Sequence, residues 1–578
     1  MIFERFREMK GLFYRKFVEK EGIEEFYPEF TWKESKKSVE FMESEDLTKI
    51  NITYPLIEPF AYVNIKWDDK DKTLNYFILE PQLTPDEWTM MMQISEALIE
   101  LVEVGLTSLK DQAKAIEYLE TQVTKIIKDF AYNITPKQYI NIMYYIYRNF
   151  VGYNEIEPIL RDRYIEDISC DGVDSPIYVI HRKYGSLKTN IAFKTVEVLR
   201  EFVIKIAERC GRYVSYAEPI LDGTLPDGSR VSATLAGDVA THGPTFTIRK
   251  FTENPFSPIE QISLKTADAQ IMAYFWYLIE HGSSILIVGG VATGKTSFLN
   301  TIAMFIPPEA KVVSIEDTRE IRIPHQHWIP GLSRVGFGIP TPTGAKYGEV
   351  TLFDLLKESF RQNPDYVIVG EVRGQETSVM FQGMSSGHPS LSTFHAGSVD
   401  TVIKRLTTPP IELSPTLLES LDVIAILTHA REKGKSARRL KEISEIIGVD
   451  PKTTEVKTNI IFRWDPVKDI YEKINDSIKL EKIVAARGGT LKSALEEVEN
   501  RKKVIEWMIK SNIINYLEVT KIINEYYKEP NKFLEIIDDK KSKLVTNIEA
   551  MKMQTDPKNI KKRVSLLKLL GFKEIREK

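Results

Sequence analysis

Apolar positions along this 578-residue chain change period several times, and each change marks a new kind of element. In "MIFERFREMKGLFYRKFVEKEG", Phe3, Phe6, Met9, Phe13 and Phe17 recur every three or four residues, as one face of a helix does. Arg5, Arg7, Lys10, Arg15, Lys16 and Lys20 lie among them, diluted by Glu4, Glu8 and Glu19. Such a helix either docks on a membrane surface or membrane protein, or packs on its own domain. From about 51 to 150, strand-like "AYVNIKW" and "LNYFILEP" give way to helices. One of these opens with Thr84 as cap, Pro85 in the first turn and Glu87 three residues after the cap. From "DRYIEDISCDG" onward, short runs such as "PIYVIH", "RVSATL" and "TFTIRKF" alternate with turn residues. With one helix around Val196 to Arg209, they predict a small α+β domain. "TENPFSPIEQ", with two prolines, reads as a linker.

Beyond the linker the pattern becomes strand, turn, helix. "SSILIVGG" is an apolar strand, and "TSFLNTIAMF" carries Phe298, Ile302 and Phe305 on one helical face until Pro307 and Pro308 stop it. "KVVSIED", "DYVIVGE", "PSLSTFH" and "DVIAILTH" are further apolar strands that end in polar residues. Such strands alternating with helices predict an α/β domain with a parallel sheet buried on both faces. Ligands of such sheets sit at the carboxyl ends of the strands, where these polar clusters fall. From about Arg501 the chain reads as charged helix, and the basic clusters Lys540–Lys543 and Lys561–Arg563 read as solvated faces.

The polar clusters carry the chemistry. Gly289, Gly290, Val291, Ala292, Thr293, Gly294, Lys295, Thr296 and Ser297 fit the G-x-x-x-x-G-K-[ST] phosphate loop between a strand and a helix. Loop amides and the helix N-terminus bind phosphate oxygens, Lys295 reaches the β and γ phosphates, and the Thr296 hydroxyl coordinates Mg²⁺. Glu371, ending "DYVIVGE", is the expected acid of the Mg²⁺ shell, acting through a metal-bound water. Glu316 and Asp317 end "VVSIED". Glu316 is the candidate for orienting the attacking water, and Asp317 for orienting neighbours or metal-bound waters. "GHPSLSTFHAGS" supplies His388, Thr393 and His395, with His395 placed to contact or sense the γ-phosphate. His325 and His327 lack a third ligand for a metal. Arg212, Arg230 and Arg249 precede the linker, and an arginine arriving from another domain or subunit can neutralise transition-state charge on the γ-phosphate.

Composition narrows the class. A net charge of −4 argues against a protein that coats nucleic acid. Cys170 and Cys210 are the two cysteines, which excludes a disulfide scaffold and a four-cysteine zinc module. The charged start is no signal peptide, and the apolar run Ile271 to Ile279 is too short to span a bilayer. The chain is read as cytosolic, with peripheral docking at a membrane left open.

The phosphate loop, "IED", "VIVGEVRG" and "GHPSLSTFHAGS", in that order, resemble the Walker A, Asp, Walker B and His boxes of the secretion ATPase superfamily. "YFILEPQLTPDE", "DRYIEDISCDG", "LPDGSRVSATL", "FTIRKFTENPFSP" and "FRWDPVKDIYEKI" look like its archaeal branch, so the resemblance covers roughly residues 50 to 530. The missing zinc module and "IEDTRE", where bacterial members often carry "EDP", point the same way.

The resemblance implies an α/β, RecA-like P-loop ATPase domain preceded by a small α+β domain, with helical extensions at both ends. It implies the boundaries 1–50, 51–150, 151–251, a linker at 252–262, the ATPase domain at 263–500 and a helical region at 501–578. It further implies a homohexamer that binds ATP and Mg²⁺ between its two domains, with Glu316 as the catalytic glutamate and Arg230 and Arg249 as phosphate contacts. The implied role is a motor at the inner face of the membrane, working on a platform protein to assemble a type IV pilus-like filament. An archaellum motor, for assembly or rotation, is the alternative within the family. A nucleic-acid-translocating ATPase would need a basic channel with aromatics. A small-molecule kinase would need a second substrate pocket.

Overall fold

The computed structural model describes residues 27–35, 39, 41, 46–101, 112–235, 239–251, 254–334, 336, 346–432, 435–450, 453, 455–535 and 537. The amphipathic segment Phe3–Phe17 and the clusters Lys540–Lys543 and Lys561–Arg563 lie outside them. The chain divides into two compact units, Met1–Phe251 and Thr252–Lys578. The break coincides with the start of the expected linker, whose Ser257 caps the helix Pro258–Ser263.

The first unit is built on one sheet. Its strands are β1 (Lys33–Glu34), β2 (Asn51–Glu58), β3 (Ala61–Asp68), β4 (Thr73–Leu79), β5 (Ile165–Cys170), β6 (Pro176–His181), β7 (Gly185–Ala192), β8 (Ile220–Thr224), β9 (Arg230–Thr234) and β10 (Thr245–Arg249). They run in the order β1-β2-β3-β4-β7-β6-β5-β10-β9-β8. Period-two sequence explains the strands: in β3, Ala61, Val63 and Ile65 are buried and Lys66 is exposed. β4 pairs in parallel with β7, so residues 51–150 and 151–251 share one sheet and one core. The expected boundary at 150 therefore falls inside a unit. The helix predicted from Thr84 spans Pro85–Leu101, and the Thr84–Glu87 reciprocal bonds form at 2.8 and 3.3 Å.

The second unit holds β11 (Ile285–Gly289), β12 (Val312–Glu316), β13 (Trp328–Leu332), β14 (Tyr366–Val369), β15 (Ser390–Phe394), β16 (Val423–Glu432), β17 (Lys435–Val449), β18 (Val456–Asp465) and β19 (Ile470–Lys473). Their order is β13-β12-β14-β15-β11-β16-β17-β18-β19. The pairs from β13 through β16 are parallel; those from β16 to β19 are antiparallel. Every residue of β11, β12, β14 and β15 is buried. Ile285 and Ile287 face one apolar layer, and Leu286 and Val288 face the other. This is the RecA-like arrangement, with β15 inserted between the phosphate-loop strand and the acidic strand β14.

One layer contains the helices Ala269–Glu280, Lys295–Ala303, Ile478–Ala485, Leu491–Lys510 and Tyr516–Lys528. The expected break at 500 would cut the fourth of these. That helix carries Ala494, Val498, Val504, Ile505 and Met508 into the core, so the C-terminal region belongs to this unit. Buried Arg501 pairs with Glu280, and the Trp276 indole N–H donates to the Tyr527 hydroxyl at 3.0 Å.

Candidate functional site

β11 delivers the chain to Gly289, where a Cβ would lie 2.5 Å from Thr293 Oγ1 and 2.8 Å from the Leu427 carbonyl oxygen. Glycine is required there by contact, and at Gly294 by a backbone φ of +88°. Gly294 caps the helix Lys295–Ala303, which aims its N-terminus at the loop. Gly290, Val291 and Ala292 are exposed, and Thr296 and Ser297 are half-buried on the first turn. The Thr293 hydroxyl donates to the Gly290 carbonyl at 3.0 Å, and Lys295 Nζ donates to the same carbonyl at 2.8 Å. Lys295 is thus folded over the loop.

The neighbouring strands bring the polar groups. Lys295 Nζ lies 3.5 Å from His395 Nδ1, and His395 Nε2 lies 3.1 Å from Glu371 Oε1. These partners fit one tautomer, with Nε2–H donating to the carboxylate and Nδ1 accepting from the ammonium. Burial, then the Lys295 charge, lower the His395 pKa against the opposing pull of Glu371, which favours the neutral ring. Thr393 is buried and donates to the Gly370 carbonyl at 2.7 Å, fixing the end of β14 against β15. His388 precedes β15 and lies at its other end, beside the Pro364 carbonyl (3.4 Å) and the Phe360 ring (5.2 Å). Its distance from the loop follows from the run of the strand between the two histidines.

Glu316 ends β12 and is buried. Its Oε1 accepts the backbone N–H groups of Glu320 and Ile321 at 2.8 and 2.7 Å. Burial pushes its carboxyl up to about 7, against the opposing pull of those amides. Asp317 is exposed and accepts from Ser333 Oγ at 2.8 Å and from the Arg373 guanidinium at 3.0 Å. His325 bonds the Ala310 carbonyl. Among the described residues no group of three or more His, Cys, Asp and Glu could hold a metal ion.

In the first unit, Arg249 and Arg230 are direct cross-strand neighbours on β10 and β9. Like charges side by side are unfavourable. Each has a carboxylate: Asp167 lies 3.7 Å from Arg249, and Asp222 lies 3.1 Å from Arg230. Arg212 is on a separate segment after the helix Val196–Arg209, its N–H bonded to the Ala207 carbonyl.

Residues 151–551 match the family model described as Type II/IV secretion system protein. The chain belongs to that family. An uncharacterized protein of Methanocaldococcus jannaschii, MJ0900, is 36% identical over 514 residues, spanning 84% of this chain and 91% of that protein. The type IV secretion system protein PtlH of Bordetella pertussis is 27% identical over 277 residues, 42% of this chain and 80% of its own length. The solved ATPase DotB of Legionella pneumophila is similar over 63% of this chain and 92% of its own, at 16% identity and a TM-score of 0.35.

Two groups beside the phosphate loop of this type II/IV secretion family member escape a reading of the boxes. His429 Nε2 lies 3.0 Å from the Val291 carbonyl, and the Arg438 side chain packs over Gly294. They face each other across the β16–β17 pair. The only sequence signal was the end of "DVIAILTH"; Arg438 lies in a basic run, "KSARR", that marks nothing by itself.

Proposed function

We propose that the chain hydrolyses ATP and works as a hexameric motor of a type II/IV secretion-like system, peripheral at the inner face of the membrane, where it drives a platform protein to assemble a pilus-like filament. The observation that carries the catalytic part is the convergence of Lys295, His395 and Glu371 on the phosphate loop.

The site suits Mg²⁺ brought in by its nucleotide. Thr296 and Glu371 offer one oxygen-bearing side chain each, and the described residues hold no complete metal cluster. The ion would neutralise charge on the β and γ phosphates. Lys295 exchanges the Gly290 carbonyl for phosphate oxygens. His395, neutral and held by Glu371, keeps a ring nitrogen toward Lys295 and reports the filled or empty state of the loop. Glu316 has one oxygen committed to the Glu320 and Ile321 amides, which leaves Oε2 to orient the attacking water. Arg230 and Arg249, already side by side, would exchange their carboxylate partners for phosphate charge during turnover. Family membership supports the coupling to secretion. No helix among the described residues is long and apolar enough to cross a membrane.

The test is the solution mass of the full chain by light scattering, with and without ADP, beside phosphate release with and without lipid vesicles. A species near six times 66.4 kDa whose hydrolysis rises on lipid supports the motor. A monomer stimulated only by single-stranded DNA contradicts it.

A further inference from the structure

The phosphate-loop strand β11 has β15 on one side and β16 on the other. Glu371 and His395 stand on the β14–β15 side, and Lys295 reaches toward them. A nucleotide lying along the loop with its terminal phosphate at these groups must extend its other end past Gly294 toward β16. There the hairpin is tied to the loop: His429 Nε2–H donates to the Val291 carbonyl at 3.0 Å. Directly across the pair from His429 stands Arg438. A Cβ built on Gly294 would lie 3.1 Å from Arg438 Cδ, 3.7 Å from Nε and 3.9 Å from Nη1. The guanidinium therefore sits over the residue that opens the phosphate-binding helix, on the side opposite the hydrolytic groups.

We propose that Arg438 is a further nucleotide contact, its guanidinium binding the α-phosphate and ribose oxygens of the bound nucleotide. A guanidinium stays charged at every working pH and offers paired donors that fit phosphate oxygens. Because the contact is made at the α-phosphate end, it serves ATP and ADP alike. It holds the nucleotide through hydrolysis and sets how fast ADP leaves. The inference rests on the nucleotide-site reading above.

Calorimetric titration of the full chain with ADP and with a non-hydrolysable ATP analogue tests both, using Arg438→Gln, Arg438→Lys and Lys295→Ala. Arg438→Gln should weaken both nucleotides by the same factor of about ten, equivalent to about 1.4 kcal/mol. Arg438→Lys should recover part of the loss, with melting temperatures unchanged. Wild-type affinity in Arg438→Gln overturns the inference, as does weakening confined to the ATP analogue, which would put Arg438 at the γ end. Loss of binding in Lys295→Ala beside unaltered Arg438→Gln removes only the Arg438 contact. Unaltered binding in Lys295→Ala removes the nucleotide-site reading itself.

Discussion

Replacing Glu316 with glutamine should make the protein more stable and less active, with the gain in stability growing as pH rises from 4.5 to about 7 and complete above that. The carboxyl ends β12 at 4% exposure. Burial raises its pKa from 4.5 to about 7, and the two backbone N–H groups it accepts do not offset this. The folded protein therefore keeps the Glu316 proton up to about pH 7, while the unfolded chain releases it near 4.5. Glu316 destabilises nothing below 4.5, and stability is lost as pH rises through that window. At about 1.4 kcal/mol per pH unit, the full cost above pH 7 is about 3 kcal/mol. Glutamine keeps an oxygen for both N–H groups and carries no charge. Its amide N–H groups need acceptors, so the net gain at pH 8 should lie between about 1 and 3 kcal/mol. In a unit of this size that raises the melting temperature by several degrees. At pH 5 the two proteins should melt nearly together. Turnover should fall by about 10²- to 10⁴-fold if Glu316 orients the attacking water. Scanning calorimetry at both pH values, beside phosphate release, reads both effects. A variant that melts at or below the wild type at pH 8 refutes the burial argument, and one that hydrolyses normally removes Glu316 from the chemistry.

Two further substitutions test the frame around the site. Gly289→Ala places a methyl 2.5 Å from Thr293 Oγ1 and 2.8 Å from the Leu427 carbonyl, so it should cost about 1–3 kcal/mol and weaken ADP binding; normal melting with normal binding would show that the loop can shift. Arg501→Ala strips the partner from Glu280 and the cation from above the Tyr277 ring at 5.2 Å. It should cost about 3–5 kcal/mol in unfolding experiments, and a loss below about 1 kcal/mol would mean that the Arg501–Glu280 pair does not hold the C-terminal helices in place.

The parts of this molecule that could be read from sequence are those where local pattern and fold agree. The phosphate loop declares itself because its glycines answer a contact at Gly289 and a positive φ at Gly294. β11, β12, β14 and β15 read as wholly apolar runs because both faces are covered. The helix expected around Val196 to Arg209 spans Val196–Arg209.

Long-range pairing was not legible. Nothing in "LNYFILEP" says that β4 pairs with β7 more than a hundred residues later, so the shared core of the first unit was missed. "WIPGL" has no strand period, yet it forms β13 by pairing with β12. The helix Leu491–Lys510 looks charged because its buried residues are a minority stripe, and one of them is an arginine whose partner, Glu280, lies far away in the sequence. His388 and His395 look alike in a motif, but they lie at opposite ends of β15. Arg438 reaches the loop through the β16–β17 pairing, which a motif scan cannot see.

The most direct test of the central claim is steady-state phosphate release by the purified full chain with ATP and Mg²⁺, beside Lys295→Ala. The wild type should hydrolyse ATP slowly, with activity lost on chelating Mg²⁺ and reduced to background in Lys295→Ala while the variant still folds. Hydrolysis that survives in Lys295→Ala would contradict it, as would a wild-type chain that binds no nucleotide.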